Sequence, residues 1–189
     1  MEQYAEFRLL PDPEFSVHHL MNALFAKLHR ALVDLNNPQI GVTFPEAGAK
    51  AKGMGSILRL HGAGSVLHPF LQESWFRSVR DHVESSGVQR VPDDCSYMQV
   101  RRVQPLGGSD LRRLRRRLMN RAGCSVEEAE QRIPNVAAKR LALPFLSLRS
   151  TSTGQVYRLF IQQTPAPERV EGEFNTFGIS KTATLPLFD

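Results

Sequence analysis

The chain has 189 residues, 41% of them hydrophobic, enough for one large domain or two small ones, each with its own core. Its two cysteines, Cys95 and Cys124, are too few for a disulfide framework and too far apart for a CxxC site, so a reducing compartment is the expectation. The start MEQYAEFRLLPDPEF has no basic segment leading into an apolar run, and no window approaches the ~20 apolar residues of a membrane span, which makes the cytoplasm the expected setting. A formal charge of +5 is modest, so what matters is where the charge concentrates.

In chain order, YAEFRLL (4–10) reads as a strand and PDPEF breaks it. Val17, Leu20, Met21, Leu24, Phe25, Leu28, Leu32 and Leu35 then recur at helical spacing, the clearest amphipathic pattern in the chain. IGVTFP (40–45) and ILRLHG (57–62), joined by a Gly/Ala/Lys loop, predict a hairpin. Ser65 is placed to cap a helix through VLHPFLQESWFRSVRDHV, with VQRVP (88–92) as a last strand. The order βαββαβ predicts a ferredoxin-like domain over residues 1–94. After the turn Pro92-Asp93-Asp94, SYMQVRRVQ (96–104) predicts a strand, and Ser109 is placed to cap a helix over about 110–122 that Gly123 ends. Ser125 and Glu128 form a capping box for a short helix stopping before Pro134. FLSLR (145–149) and VYRLFIQQ (156–163) predict a second hairpin, and the tail FNTFGISKTATLPLF offers further strands. The fold class is therefore α+β, with a smaller α+β domain over residues 95–189.

The helix within that second domain carries five arginines in the six positions from Arg112 to Arg117, with Asp110 the acidic residue near them. Leu111, Leu114 and Leu118 make an apolar stripe, and Arg112, Arg113, Arg116, Arg117, Asn120 and Arg121 project away from it, with Arg115 at the border. Like charges at these spacings repel, so a face serving solubility alone would mix Glu with Arg. A polyanion dock is the better reading. Guanidinium forks grip phosphates and guanine edges, and the lack of Trp or Phe on the helix favours nucleic acid over a membrane surface. Arg102 and Gln104 on the preceding strand add side chains suited to guanine and adenine, although either is equally at home on a solvated strand face.

FRLLPDPEF, LFAKLHRALV, IGVTFP, RRVQ, LRRRLMNR, EEAEQRIP, LALPFLSLRSTSTGQVYRLFI and FGISK, in this order and over nearly the whole chain, resemble the CRISPR RNA-processing endoribonucleases of type I-F systems. The resemblance implies recognition of a hairpin in the CRISPR repeat RNA. It also implies cleavage 3′ of the stem without metal or other cofactor, and retention with the other Cas proteins of the surveillance complex. Such chemistry needs a base for the 2′-hydroxyl. Of the six histidines, His29 lies beside Leu28 at the edge of the buried stripe. A lone helical histidine is more often a boundary residue, but KLHRALV matches the family segment that holds the catalytic base. By the same match Ser150 orients the 2′-hydroxyl, and Ser152, Thr153 and Gln155 line the RNA near the cut. Tyr157 stacks on the base pair closing the stem. On local pattern alone these are turn residues and a strand aromatic. Phe177 stands where the family often has tyrosine, so a phenolic hydroxyl cannot act beside the histidine. A hairpin-binding subunit without catalysis is the alternative, and a basic module for DNA or acidic proteins a third reading.

Overall fold

Helix α1, Val17–Leu35, organises the larger of two compact units. Ser16 caps it by accepting the His19 N–H at 3.3 Å, and Asn36 closes it in the left-handed region at φ 48°. Leu20, Met21, Leu24, Phe25, Leu28, Ala31 and Leu32 are all buried, the side of the helix that the periodicity marks. Full burial of each large aliphatic or aromatic side chain is worth about 1.5–3 kcal/mol, which holds α1 in place from one side only. The opposite rim is left to carry polar groups. The computed structural model describes residues 1–48, 53–72, 75–105, 107–134 and 142–188.

One sheet contains β1 (Gln3–Leu9), β2 (Gly41–Thr43), β3 (Ile57–Gly62) and β4 (Val83–Arg90) in the order β2-β3-β1-β4. Every pairing in it is antiparallel, with Ala5 opposite Leu60 and Val88. The second sheet contains β5 (Ser96–Val103), β6 (Phe145–Arg149), β7 (Val156–Ala166) and β8 (Thr184–Leu187) in the order β6-β7-β5-β8. Phe7, Leu24, Phe25, Leu28, Leu58 and Leu60 share one apolar cluster with Val100, Leu146, Leu148, Leu159 and Leu185, so both sheets and α1 enclose one core. Arg59, buried in β3, donates to Glu6 at 2.9 and 3.1 Å and to the Phe188 carbonyl at 2.8 Å, which ties the end of β8 to the first sheet. The class is mixed α+β, built on two four-stranded sheets.

In the first half of the chain two predicted elements differ by more than a few residues. The helix expected through residues 66–83 is α2, Gly64–Gln72, followed by a 3-10 turn over Arg77–His82. Trp75 and Phe76 leave helical spacing to pack against Phe7, with ring centroids 5.2 and 5.4 Å away, so aromatic packing overrides the local period. Strand β4 then starts at Val83, five residues earlier than expected, because pairing with β1 extends to Leu9–Val83.

The second unit, Val103–Ala142, holds α3 (Gly108–Ala122) and α4 (Val126–Arg132). Gly107, not Ser109, is the first cap: the Asp110 carboxylate accepts the Gly107 N–H at 3.1 Å and fixes the start. Gly123 ends α3 at φ 62°, and Ser125 with Glu128 caps α4 reciprocally, both as the sequence predicts. Among the described residues no helix is long and apolar enough to cross a membrane.

Candidate active site

One rim of α1 presents Ala26, His29, Arg30, Val33 and Asp34, three and four residues apart. They face Leu148, Arg149, Ser150, Thr151 and Ser152 at the end of β6, with Tyr157 from β7. Together these residues enclose a cleft of about 450 Å³. The long α1 stripe makes this possible, since it buries Leu28 and Leu32 and leaves the flanking positions at the surface.

His29 is half-buried, and its Nδ1 lies 2.7 Å from the Thr176 carbonyl oxygen. A carbonyl can only accept, so Nδ1 carries the proton, and in the neutral ring the lone pair belongs to Nε2. The ring is also stacked on Phe177, with centroids 4.1 Å apart and planes 8° from parallel. A histidine held on one nitrogen and one face, whose neutral ring keeps its lone pair on the other nitrogen, is equipped to take a proton from a hydroxyl.

Ser150 sits where the β6–β7 connection turns back. Its N–H donates to the Gln155 carbonyl at 2.9 Å and its carbonyl accepts from Gly154, which turns at φ 69°. Its Oγ accepts the Thr153 N–H at 3.2 Å and lies 3.1 Å from Ser152 Oγ, so the hydroxyl is fixed by its own turn. The cleft therefore gathers His29, Ser150, Ser152 and Tyr157 from distant parts of the chain. Thr153 and Gln155 are exposed members of the same turn but do not line the cleft.

Arg102 is exposed on β5, and Gln104 is exposed just beyond its end. On α3, Leu111 is buried and Leu114 and Leu118 are half-buried, while Arg112, Arg113, Arg116, Arg117, Asn120 and Arg121 are all exposed. Among the described residues, Arg112, Arg116, Arg117 and Arg121 form no ion pair, whereas Arg113 pairs with Asp110 at 3.1 Å. Arg115 turns inward: it donates twice to the Ile133 carbonyl, at 2.7 and 2.9 Å, and once to Glu130 at 2.9 Å. That arginine fastens α3 to α4, and the others leave a cationic face.

Sequence reasoning missed Arg30, Asp34 and Arg149, the charged residues that line the His29 cleft. Arg30 lies four residues after Ala26 and Asp34 four after Arg30, so helical spacing sets both on the rim that His29 borders. Neither Arg30 nor Arg149 has a side-chain hydrogen bond or ion pair among the described residues. A second cleft of similar volume, lined by Met1, Gln39, Tyr97, Arg169 and Glu171 among others, contains neither histidine nor serine. Among the described residues no three His, Cys, Asp or Glu side chains gather as a metal site requires.

The model of the CRISPR-associated protein family Cas_Csy4 matches residues 4–188 of the chain. The chain is 44% identical to a CRISPR-associated endonuclease Cas6/Csy4 of Pseudomonas aeruginosa (strain UCBPP-PA14), over 100% of both sequences. It is 40% identical, again over 100% of both, to a CRISPR-associated endonuclease Cas6/Csy4 of Escherichia coli (strain UTI89 / UPEC).

Proposed function

The chain belongs to the Cas_Csy4 family of CRISPR-associated proteins, and on that premise we propose that it is an endoribonuclease that cuts precursor CRISPR RNA 3′ of the repeat hairpin. His29 is the general base. Its Nε2 takes the proton of the 2′-hydroxyl next to the scissile phosphate, the O2′–P bond forms, and the P–O5′ bond breaks in line. The products are a 2′,3′-cyclic phosphate and a 5′-hydroxyl, the leaving oxygen taking its proton from solvent. The reading calls on no metal or cofactor. Ser150 orients the attacking hydroxyl, while Arg30 and Arg149 offer cations to the charge that builds on the phosphorane.

Binding is assigned to other residues. Arg112, Arg113, Arg116, Arg117, Asn120 and Arg121 grip the stem, and Arg102 and Gln104 read base edges. Ser152, Thr153 and Gln155 contact RNA near the cut, and Tyr157 stacks on the closing base pair for about 1–3 kcal/mol. In this reading residues 1–94 form a ferredoxin-like domain that supplies the base, and residues 95–189 supply the RNA-holding groups. The element order β-α-β-β-α-β and strand order β2-β3-β1-β4 support the former. The protein works in the cytoplasm and stays on the mature guide RNA with the other Cas proteins of a type I-F surveillance complex.

The observation that carries the proposal is the single cleft shared by His29, with Nδ1 already engaged, and Ser150. His29→Ala is expected to lose cutting and keep hairpin binding, and a 2′-deoxy nucleotide before the scissile phosphate is expected to block the wild type. Cutting of that deoxy substrate would disprove internal attack. A wild-type protein that binds the hairpin without cutting it would instead make the chain a guide-capping subunit.

A further inference from the structure

Among the described residues the hydrogen-bond partner of the His29 ring, the Thr176 carbonyl, and its stacking partner, the Phe177 ring, come from one short turn near the end of the chain. The turn is closed across Asn175 and Gly178, whose N–H donates to the Asn175 carbonyl at 2.8 Å. The Asn175 side chain reinforces it from inside: Oδ1 accepts the Phe177 N–H at 2.8 Å and the Ile179 N–H at 3.5 Å. The Asn175 N–H in turn donates to the Ile179 carbonyl at 3.0 Å, so the loop is locked on itself.

It is also locked to the scaffold. Phe174 N–H donates to the Pro38 carbonyl at 2.9 Å and Val42 N–H to the Gly178 carbonyl at 2.7 Å, anchoring the turn just after α1 and on β2. Gly178 has φ 69°, and a Cβ there would overlap the Val42 side chain, so the close approach requires glycine. Thr176 lies between these anchors. Its carbonyl has little freedom to leave His29.

We infer that the Asn175–Ile179 turn is a tautomer clamp, with Asn175 a positioning residue that holds the Thr176 carbonyl on His29 Nδ1 and so keeps Nε2 free to accept a proton. The inference rests on the reading of His29 as the base. It separates two roles within the turn: Phe177 fixes the plane of the ring, and the Thr176 carbonyl fixes which nitrogen carries hydrogen. Among the described residues the Asn175 side chain has no hydrogen bond to the His29 ring, and it acts through the Phe177 and Ile179 backbone that it ties.

The test uses the full chain with nitrogen-labelled histidine, reading the His29 tautomer by NMR at a pH where the ring is neutral. Wild type is expected to show Nδ1–H. Asn175→Ala, at an exposed position, is expected to stay folded with a melting temperature lower by only about 2–4 °C and to shift His29 toward Nε2–H. Single-turnover cleavage should slow roughly tenfold, the equivalent of one to two ordinary hydrogen bonds, with unchanged affinity for a 2′-deoxy hairpin. Asn175→Asp keeps the accepting oxygen and is expected to restore both tautomer and rate. Gly178→Ala, which displaces the turn while leaving the Asn175 side chain in place, is expected to move the tautomer in the same direction.

An Nε2–H ring in the wild type would overturn the clamp, as would Asn175→Ala slowing cleavage with the tautomer unchanged. Cutting by His29→Ala would overturn the base reading instead, and the tautomer spectra, which need no RNA, keep the two failures apart.

Discussion

Truncating Arg115 tests whether the arginines of α3 divide into one that builds the unit and others that face outward. Its side chain is only 12% exposed, and two of its N–H groups converge on the Ile133 carbonyl at 2.7 and 2.9 Å. Charge-assisted hydrogen bonds of this kind contribute about 1.5–3 kcal/mol, and a carbonyl stripped of its donors adds to the loss. The ion pair with Glu130 counts for little, because Glu130 is 55% exposed and solvent screens it. Arg115→Ala should therefore weaken the α3–α4 packing by about 3 kcal/mol, which is roughly a hundredfold rise in local opening. Amide hydrogen exchange along α4 reads this directly, with Arg116→Ala as the control because its exposed side chain has no ion-pair partner among the described residues. If α4 amides in Arg115→Ala exchange within about threefold of wild type, the division fails.

Arg116→Ala should instead reduce the dependence of hairpin affinity on salt, lowering the slope of log K against log salt by about one phosphate contact while leaving the melting temperature unchanged. Arg30→Gln should slow single-turnover cleavage roughly tenfold without altering affinity for a 2′-deoxy hairpin, a discount from buried oxyanion donors because Arg30 is exposed. A matching loss of affinity would make it a binding residue. His61 is fully buried, its Nε2 is 2.9 Å from Thr43 Oγ1, and burial, with Arg59 close by, pushes its pKa down to about 3. The unfolded chain takes up a proton below about pH 6.5 and the folded one cannot, so stability is present above that pH and lost as pH falls toward 3. By pH 4 the loss is on the order of 3 kcal/mol, and urea unfolding of His61→Gln should show a flatter fall over that range.

The reach of the sequence can be judged element by element. Strand β3 and strand β6 fall on the expected residues, and α1 starts at the expected Val17, because each has strong periodicity between clear breakers. The α4 cap was legible because Ser125 and Glu128 act within one turn, and a local rule suffices. The α3 cap was not. Ser109 has the preferred side chain, but Asp110 reaches back to the Gly107 N–H, which shifts the helix start by two residues. The region after α2 failed for a different reason, since Trp75 and Phe76 answer to Phe7 on a distant strand. No window along the sequence contains that partner.

The site shows the same boundary between local and distant information. Helical spacing places His29 on the rim beside Leu28, and it also divides α3 into a leucine face and an arginine face, both matched by burial. What stands across from His29 is decided by segments more than a hundred residues away, Leu148–Ser152 and Thr176–Phe177. The turn itself had a readable mark, because Asn at the first position and Gly at the fourth of Asn175-Thr176-Phe177-Gly178 is a turn signature. Its target had none. The contact with His29 is face to face, so it uses the Phe177 ring and needs no hydroxyl at the ring's far edge. Phenylalanine thus preserves the part of an aromatic side chain that orients the histidine, and the proton's place on the ring passes to the Thr176 carbonyl, a backbone group that any residue would supply. A backbone acceptor leaves no trace in the identity of its own residue, only in the glycine and asparagine that hold it in position.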